Sequence, residues 1–162
     1  MKKILATVVL SLVVFVASAQ ASFSDVYTTD TNYAAITSLV DQGILVGYDD
    51  GTFRSDQEVN RAEALKIILM GAGVAVDESS TAALLFSDVG TEDWFFGYVS
   101  TGVSLGIIQG YDDGTFKPEQ TVNRAEAVKM LLMANGELAA ADAAVATESF
   151  SDVPLSEWYA PY

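Results

Sequence analysis

The chain has 162 residues, no cysteine, no histidine, and 22 acidic against 8 basic residues, a net charge of −14. Without histidine it lacks the commonest general base and the commonest catalytic metal ligand, and without cysteine an exported chain of this kind is not held by disulfides. Acidity of this degree repels nucleic acid and anionic membrane surfaces, whose phosphates are bound through Lys and Arg.

Residues 1–21 read as a secretory signal peptide. Lys2 and Lys3 precede an apolar run from Ile4 to Ala17, and Ala17-Ser18-Ala19 and Ala19-Gln20-Ala21 offer small-residue cleavage sites. The run is shorter than the roughly 20 residues of a spanning helix, so no membrane insertion is expected after cleavage. Removing the segment leaves 6 basic and 22 acidic residues, a net charge of −16.

The remainder repeats. Phe23-Ser24-Asp25-Val26 recurs 63 residues later as Phe86-Ser87-Asp88-Val89, and a third time at Phe150-Ser151-Asp152-Val153. After each of the first two copies, apolar residues at helical spacing follow: Tyr33, Ile36, Leu39 and Val40, then Phe96, Val99 and Val103 in register. Gly43 and Gly106 stand where a left-handed residue ends a helix cheaply. The heptapeptide Gly47-Tyr48-Asp49-Asp50-Gly51-Thr52-Phe53 returns unchanged as Gly110-Tyr111-Asp112-Asp113-Gly114-Thr115-Phe116. Asp-Asp-Gly is turn chemistry, with Tyr48 and Phe53 placed to fold back on each other as an apolar clasp. A calcium loop is the functional rival, but EF-hand spacing is not met.

Asn60-Arg61-Ala62-Glu63 and Asn123-Arg124-Ala125-Glu126 each open a second helix, with Asn as N-cap and Glu three residues on to close a capping box. Ala62, Leu65, Ile68 and Leu69, and in register Ala125, Val128, Leu131 and Leu132, form its apolar stripe. Capping explains Asn and Glu; Arg61 and Arg124 are different. A cation in the first turn opposes the helix dipole, so a guanidinium beside open amides makes a site for a carboxylate or phosphate. A salt bridge to one of the many carboxylates explains it equally well. The stretches Gly71–Leu85 and Ala134–Ser149 read as partly helical connectors.

These blocks at this spacing closely resemble the S-layer homology (SLH) domain family, over essentially all of residues 23–162. Trp94-Phe95-Phe96-Gly97-Tyr98 and Trp158-Tyr159-Ala160-Pro161-Tyr162 resemble that family's Trp-centred motif. The resemblance implies a mainly α fold of repeated helix-loop-helix units packing with pseudo-threefold symmetry, the third unit incomplete here. It divides the chain into the signal peptide 1–21, repeat 1 at 22–72, a linker at 73–85, repeat 2 at 86–135, a linker at 136–149 and the start of repeat 3 at 150–162. It also implies a non-catalytic, exported module of the cell wall, S-layer or cell surface, or of the periplasmic face of a Gram-negative outer membrane. The partner implied is an anionic, often pyruvylated, secondary cell-wall polysaccharide or a peptidoglycan-linked polymer, with no cofactor and no metal. By position the glycan-binding roles fall to Arg61 and Arg124, Trp94 and Trp158, and Gly47 and Gly110. Replacing both arginines is expected to weaken binding more than replacing Lys66 and Lys129.

Three departures from the family pattern stand out. Asn replaces its usual Thr before the arginine. Thr31 stands where repeat 2 has Trp94, and repeat 3 lacks its loop, second helix and arginine. Self-association through that incomplete unit is therefore a further expectation. Two other readings are an N-terminal tether of a larger outer-membrane barrel or surface enzyme, and a calcium-binding acidic surface protein.

Overall fold

The computed structural model describes residues 23–77, 86–137, 152–154, 156–160 and 162. The signal peptide read over 1–21, and most of both linkers, lie outside the described residues. The described residues are mainly helical, without strands: α1 (Tyr33–Asp41), α2 (Arg61–Gly71), α3 (Phe96–Ser104) and α4 (Arg124–Ala134). None of these helices is long and apolar enough to cross a membrane.

Local chemistry sets the helix limits. Asn60 Oδ1 accepts from the Glu63 amide and Glu63 accepts from the Asn60 amide, both at 2.9 Å. Asn123 and Glu126 form the same box at the start of α4. Gly43 and Gly106 follow α1 and α3 with φ of 71° and 70°. The turn anticipated in the heptapeptide is present, with the Gly51 amide donating to the Tyr48 carbonyl at 2.9 Å. The apolar clasp, however, has another partner. Phe53 packs on Phe23 (ring centroids 5.3 Å apart) and Phe116 on Phe86 (5.8 Å).

Phe-Ser-Asp-Val is thus the clamp of the loop. Asp25 accepts from the Phe53 and Arg54 amides at 2.7 Å each, and Asp88 from the Phe116 and Lys117 amides at 2.8 Å each. Gly47 and Gly110 are glycine for the same reason. A Cβ there would run into the ring edge of Phe23 or Phe86, and into the Thr52 or Thr115 carbonyl at 2.7 or 2.8 Å.

The core lies between the repeats. α2 packs against α3 and α4, the helices of the following repeat. Leu65, Leu69, Val99 and Phe116 are fully buried there, joined by Phe95, Ile107 and Ile108. Gly102 lets α3 approach closely, since a Cβ there would meet Leu65 Cδ1 at 3.2 Å. The two apolar stripes consequently differ. Ala62, Leu65 and Leu69 of α2 are wholly covered, whereas Leu131 of α4 is 48% exposed. α1, with no such helix against it, buries only Ile36. Of the first connector, described over 71–77, Gly71 ends α2 and 74–77 are not helical, and Val74 and Val76 pack against the core.

A core shared by both repeats predicts that Leu65→Ala destabilises the chain by about 3 kcal/mol. Urea unfolding followed by Trp fluorescence and by circular dichroism should still show one coincident transition. The loops predict acid sensitivity as well. Hydrogen bonds from Thr52, then Arg54, hold Asp50 at about 2 rather than 3.8, and Asp25 and Asp113 are lowered in the same direction. A folded-state value below the unfolded one stabilises above 3.8 and is lost as pH falls toward about 2. The urea midpoint should therefore drop across that interval.

Candidate functional site

Two clefts are built on one plan. In each, the Gly-Tyr loop of one repeat faces the tryptophan of the next, and a lysine of the intervening helix lies between them. The first, of about 420 Å³, includes Gly47, Tyr48, Glu63, Lys66 and Trp94. The second, of about 170 Å³, includes Arg61, Gly110, Tyr111, Glu126, Lys129 and Trp158. Of the residues anticipated from the sequence, the structure thus brings Gly47 and Trp94 together, and Arg61, Gly110 and Trp158 together. Arg124 lines neither cleft.

Trp94 and Trp158 keep 53% and 51% of their surface exposed, an unusual state for the largest apolar side chain. Each is braced edge-on by its neighbour, Phe95 at 5.4 Å and Tyr159 at 5.3 Å between ring centroids. Lys66 Nζ lies 5.6 Å from the Trp94 ring centroid, and Lys129 Nζ lies 5.3 Å from that of Trp158. A flat apolar face with an ammonium beside it suits a sugar ring bearing a negative group. The sequence reading treated these lysines as the lesser cations. The signal that could have found them is their recurrence five residues after each arginine.

The arginines occupy opposite settings. Arg61 is 8% exposed. Its Nε donates to the Phe116 carbonyl and its Nη2 to the Gln109 carbonyl, both at 3.1 Å, while Nη1 lies 3.7 Å from Glu126 Oε1. The guanidinium also faces the Tyr111 and Phe116 rings, 5.2 and 5.0 Å from their centroids. The amides opening α2 are taken too. Those of Arg61 and Ala62 donate to the Gln120 and Pro118 carbonyls at 2.9 and 3.1 Å. No open amides therefore remain beside Arg61 for an anion, and the cation at this helix start answers carbonyls and a carboxylate of repeat 2. Arg124, at the same point of α4, is exposed and has no hydrogen bond or ion pair among the described residues.

The paired aspartates serve the turn. Asp50 Oδ1 accepts from the Thr52 amide and hydroxyl at 3.1 and 2.6 Å, and Oδ2 pairs with Arg54 at 2.8 Å. Asp113 is engaged in the same way by Thr115 and Lys117. Among the described residues no group of three or more carboxylates is placed to hold a metal ion.

The S-layer homology domain family matches residues 22–65 and 85–128 of this chain. The chain is 32% identical over 151 residues to cell surface glycoprotein 1 of Acetivibrio thermocellus, an alignment covering 88% of the chain and 6% of that protein. It is 32% identical over 144 residues to the surface layer protein of Brevibacillus choshinensis (84% and 13%). It is 31% identical over 134 residues to the cellulosome-anchoring protein of A. thermocellus (80% and 29%). The chain therefore spans between 6% and 29% of the length of these relatives.

The contrast between the arginines is measurable. Arg61→Ala leaves two carbonyls without their donor and Glu126 without its cation, and should cost about 3 kcal/mol. Arg124→Ala should stay within about 0.5 kcal/mol of the unmodified chain. Urea titration of both variants checks the pair.

Proposed function

This chain belongs to the S-layer homology domain family, and on that premise we propose that it is a non-catalytic module that ties an exported protein to the cell envelope. Its ligand in this reading is an anionic secondary cell-wall polysaccharide, pyruvylated or not, or another peptidoglycan-linked polymer. The single observation that carries it is the half-exposed indole with a lysine over its face, present twice at the seams between repeats. Sugar rings stack on such a face, and the ammonium answers their acidic substituents. The names of the relatives agree: one is a cellulosome-anchoring protein and others are surface layer proteins.

In this assignment Trp94 and Trp158 are the platforms, Lys66 and Lys129 the half-buried cations beside them, and Arg61 the wall of the smaller cleft. Gly47 and Gly110 set the loop height, and Arg124, exposed at the start of α4, is a further cation for the ligand. Repeats over 22–72 and 86–135, arranged about a pseudo-threefold axis with the segment 150–162, belong to the same proposal. So do placement at the cell wall or cell surface and self-association through the incomplete third repeat. A second reading, a tether carrying a larger barrel or surface enzyme, is favoured by the small fraction of its relatives that the chain spans. Calcium binding is disfavoured, because Arg54 and Lys117 already pair with Asp50 and Asp113.

Sedimentation with purified cell-wall sacculi tests the reading. The chain should co-sediment with intact sacculi and lose that retention once the secondary polymer is stripped by acid. Replacing Trp94 and Trp158 together by Ala should weaken retention about tenfold or more, which corresponds to ~1.4 kcal/mol. Equal retention on stripped and intact sacculi, or no retention on either, rejects the proposal.

A further inference from the structure

The two clefts share a plan but not a charge. In the smaller one, the Glu126 carboxylate lies 3.7 Å from Arg61, accepts from the Tyr111 hydroxyl at 3.3 Å and closes the Asn123 capping box at 3.1 Å. Its charge is answered before any ligand arrives. Arg61 and Lys129 against Glu126 then leave this cleft one positive charge in excess.

The larger cleft has the same glutamate and lysine but no arginine in the place of Arg61. Glu63 is bonded only within its capping box, to the Asn60 amide at 2.9 Å, and no cation among the described residues pairs with it. Tyr48 and its counterpart Tyr111 each accept from a loop glutamine, Gln57 at 2.7 Å and Gln120 at 3.3 Å, but among the described residues only Tyr111 also donates to the glutamate of its cleft. Glu58 adds a second carboxylate to the lining. Arg54 does not redress the balance, being bound to Asp50 at 2.8 Å with its guanidinium 3.9 Å from the Tyr48 ring centroid. Lys66 is thus opposed by two carboxylates.

We infer that the clefts divide the ligand by charge: the smaller Arg61–Lys129 cleft takes the anionic group, and the larger Trp94–Lys66 cleft takes an uncharged sugar, with unpaired Glu63 excluding acids from it. This deepens the glycan-binding reading and rests on it. Size works against the usual expectation that the roomier cavity holds the defining group, because a carboxylate needs a paired, preorganised cation more than it needs volume. Glu63 and Arg61 are the residues that set the difference, Glu63 by repulsion in one cleft and Arg61 by neutralising Glu126 in the other.

The chain contains two tryptophans, one in each cleft, so Trp158→Phe and Trp94→Phe make each cleft report alone. The probes are oligogalacturonate and its fully methyl-esterified form, which share a ring and differ in charge. Trp158 fluorescence, read in the Trp94→Phe chain, should respond to the acid at least about tenfold more tightly than to the ester and lose that preference in high salt. Trp94, read in the Trp158→Phe chain, should favour the ester or show no preference. Glu63→Gln keeps a capping-box residue and should shift Trp94 toward the acid by about threefold or more. Equal acid preference at both tryptophans, preference at Trp94 alone, or no response at Trp158 overturns the inference. Retention on sacculi that survives such a result leaves envelope anchoring standing, so the two failures are separable.

Discussion

Everything described depends on one junction, where the start of α2 in repeat 1 enters the loop of repeat 2. That loop has no sheet or helix to satisfy its carbonyls, and buried carbonyls require donors. Four of them receive theirs from two consecutive residues: Gln109 and Phe116 from the Arg61 side chain, Gln120 from the Arg61 amide and Pro118 from the Ala62 amide. The same contacts supply the partners that the first turn of a helix otherwise lacks. Loop and helix end thus complete each other, and neither is satisfied alone.

Because the junction runs from one repeat to the next, so does the rest of the architecture. α2 lies against α3 instead of α1, the fully buried core draws on both repeats, and each cleft has walls from successive repeats. The seam brings asymmetry, since the motif residues recur in the two copies while their neighbours do not. Arg61 has a loop to enter and Arg124 has none among the described residues; Glu126 has a guanidinium beside it and Glu63 does not. Identical motifs therefore carry different chemistry.

That explains what could and could not be read from the residues. Helix limits were legible because caps and left-handed glycines act locally: both Asn-Glu boxes and the ends at Gly43 and Gly106 lie where spacing put them. The turn at Asp49-Asp50-Gly51 was legible on the same ground. Contacts between distant segments were not. Nothing in a Phe-Ser-Asp-Val block announces that its aspartate will hold two amides 28 and 29 residues away, or that its phenylalanine will displace Tyr48 as the partner of Phe53. The open amides read beside Arg61 were the costliest miss, because periodicity describes a helix by itself and the donors were consumed by another repeat. Lys66 and Lys129 were passed over for a related reason. A lysine on a helix reads as solvated surface until an aromatic from the next repeat is placed beneath it.

A chain of net charge −14 proposed to hold an acidic polymer looks self-contradictory only if the whole charge acts at the site. At physiological ionic strength the screening length is about 8 Å, so carboxylates on distant faces contribute little inside a cleft. What a ligand meets is set within the first few ångströms, where Lys129 and Arg61 face a single, already answered Glu126. On the same proposal the acidic exterior has its own effect: like charge keeps modules apart from one another and from the bulk of an acidic polymer except where a cation is presented on an aromatic face. In the proposed reading, selectivity comes from that contrast between a repelling surface and a few cationic seams, more than from the strength of any one contact.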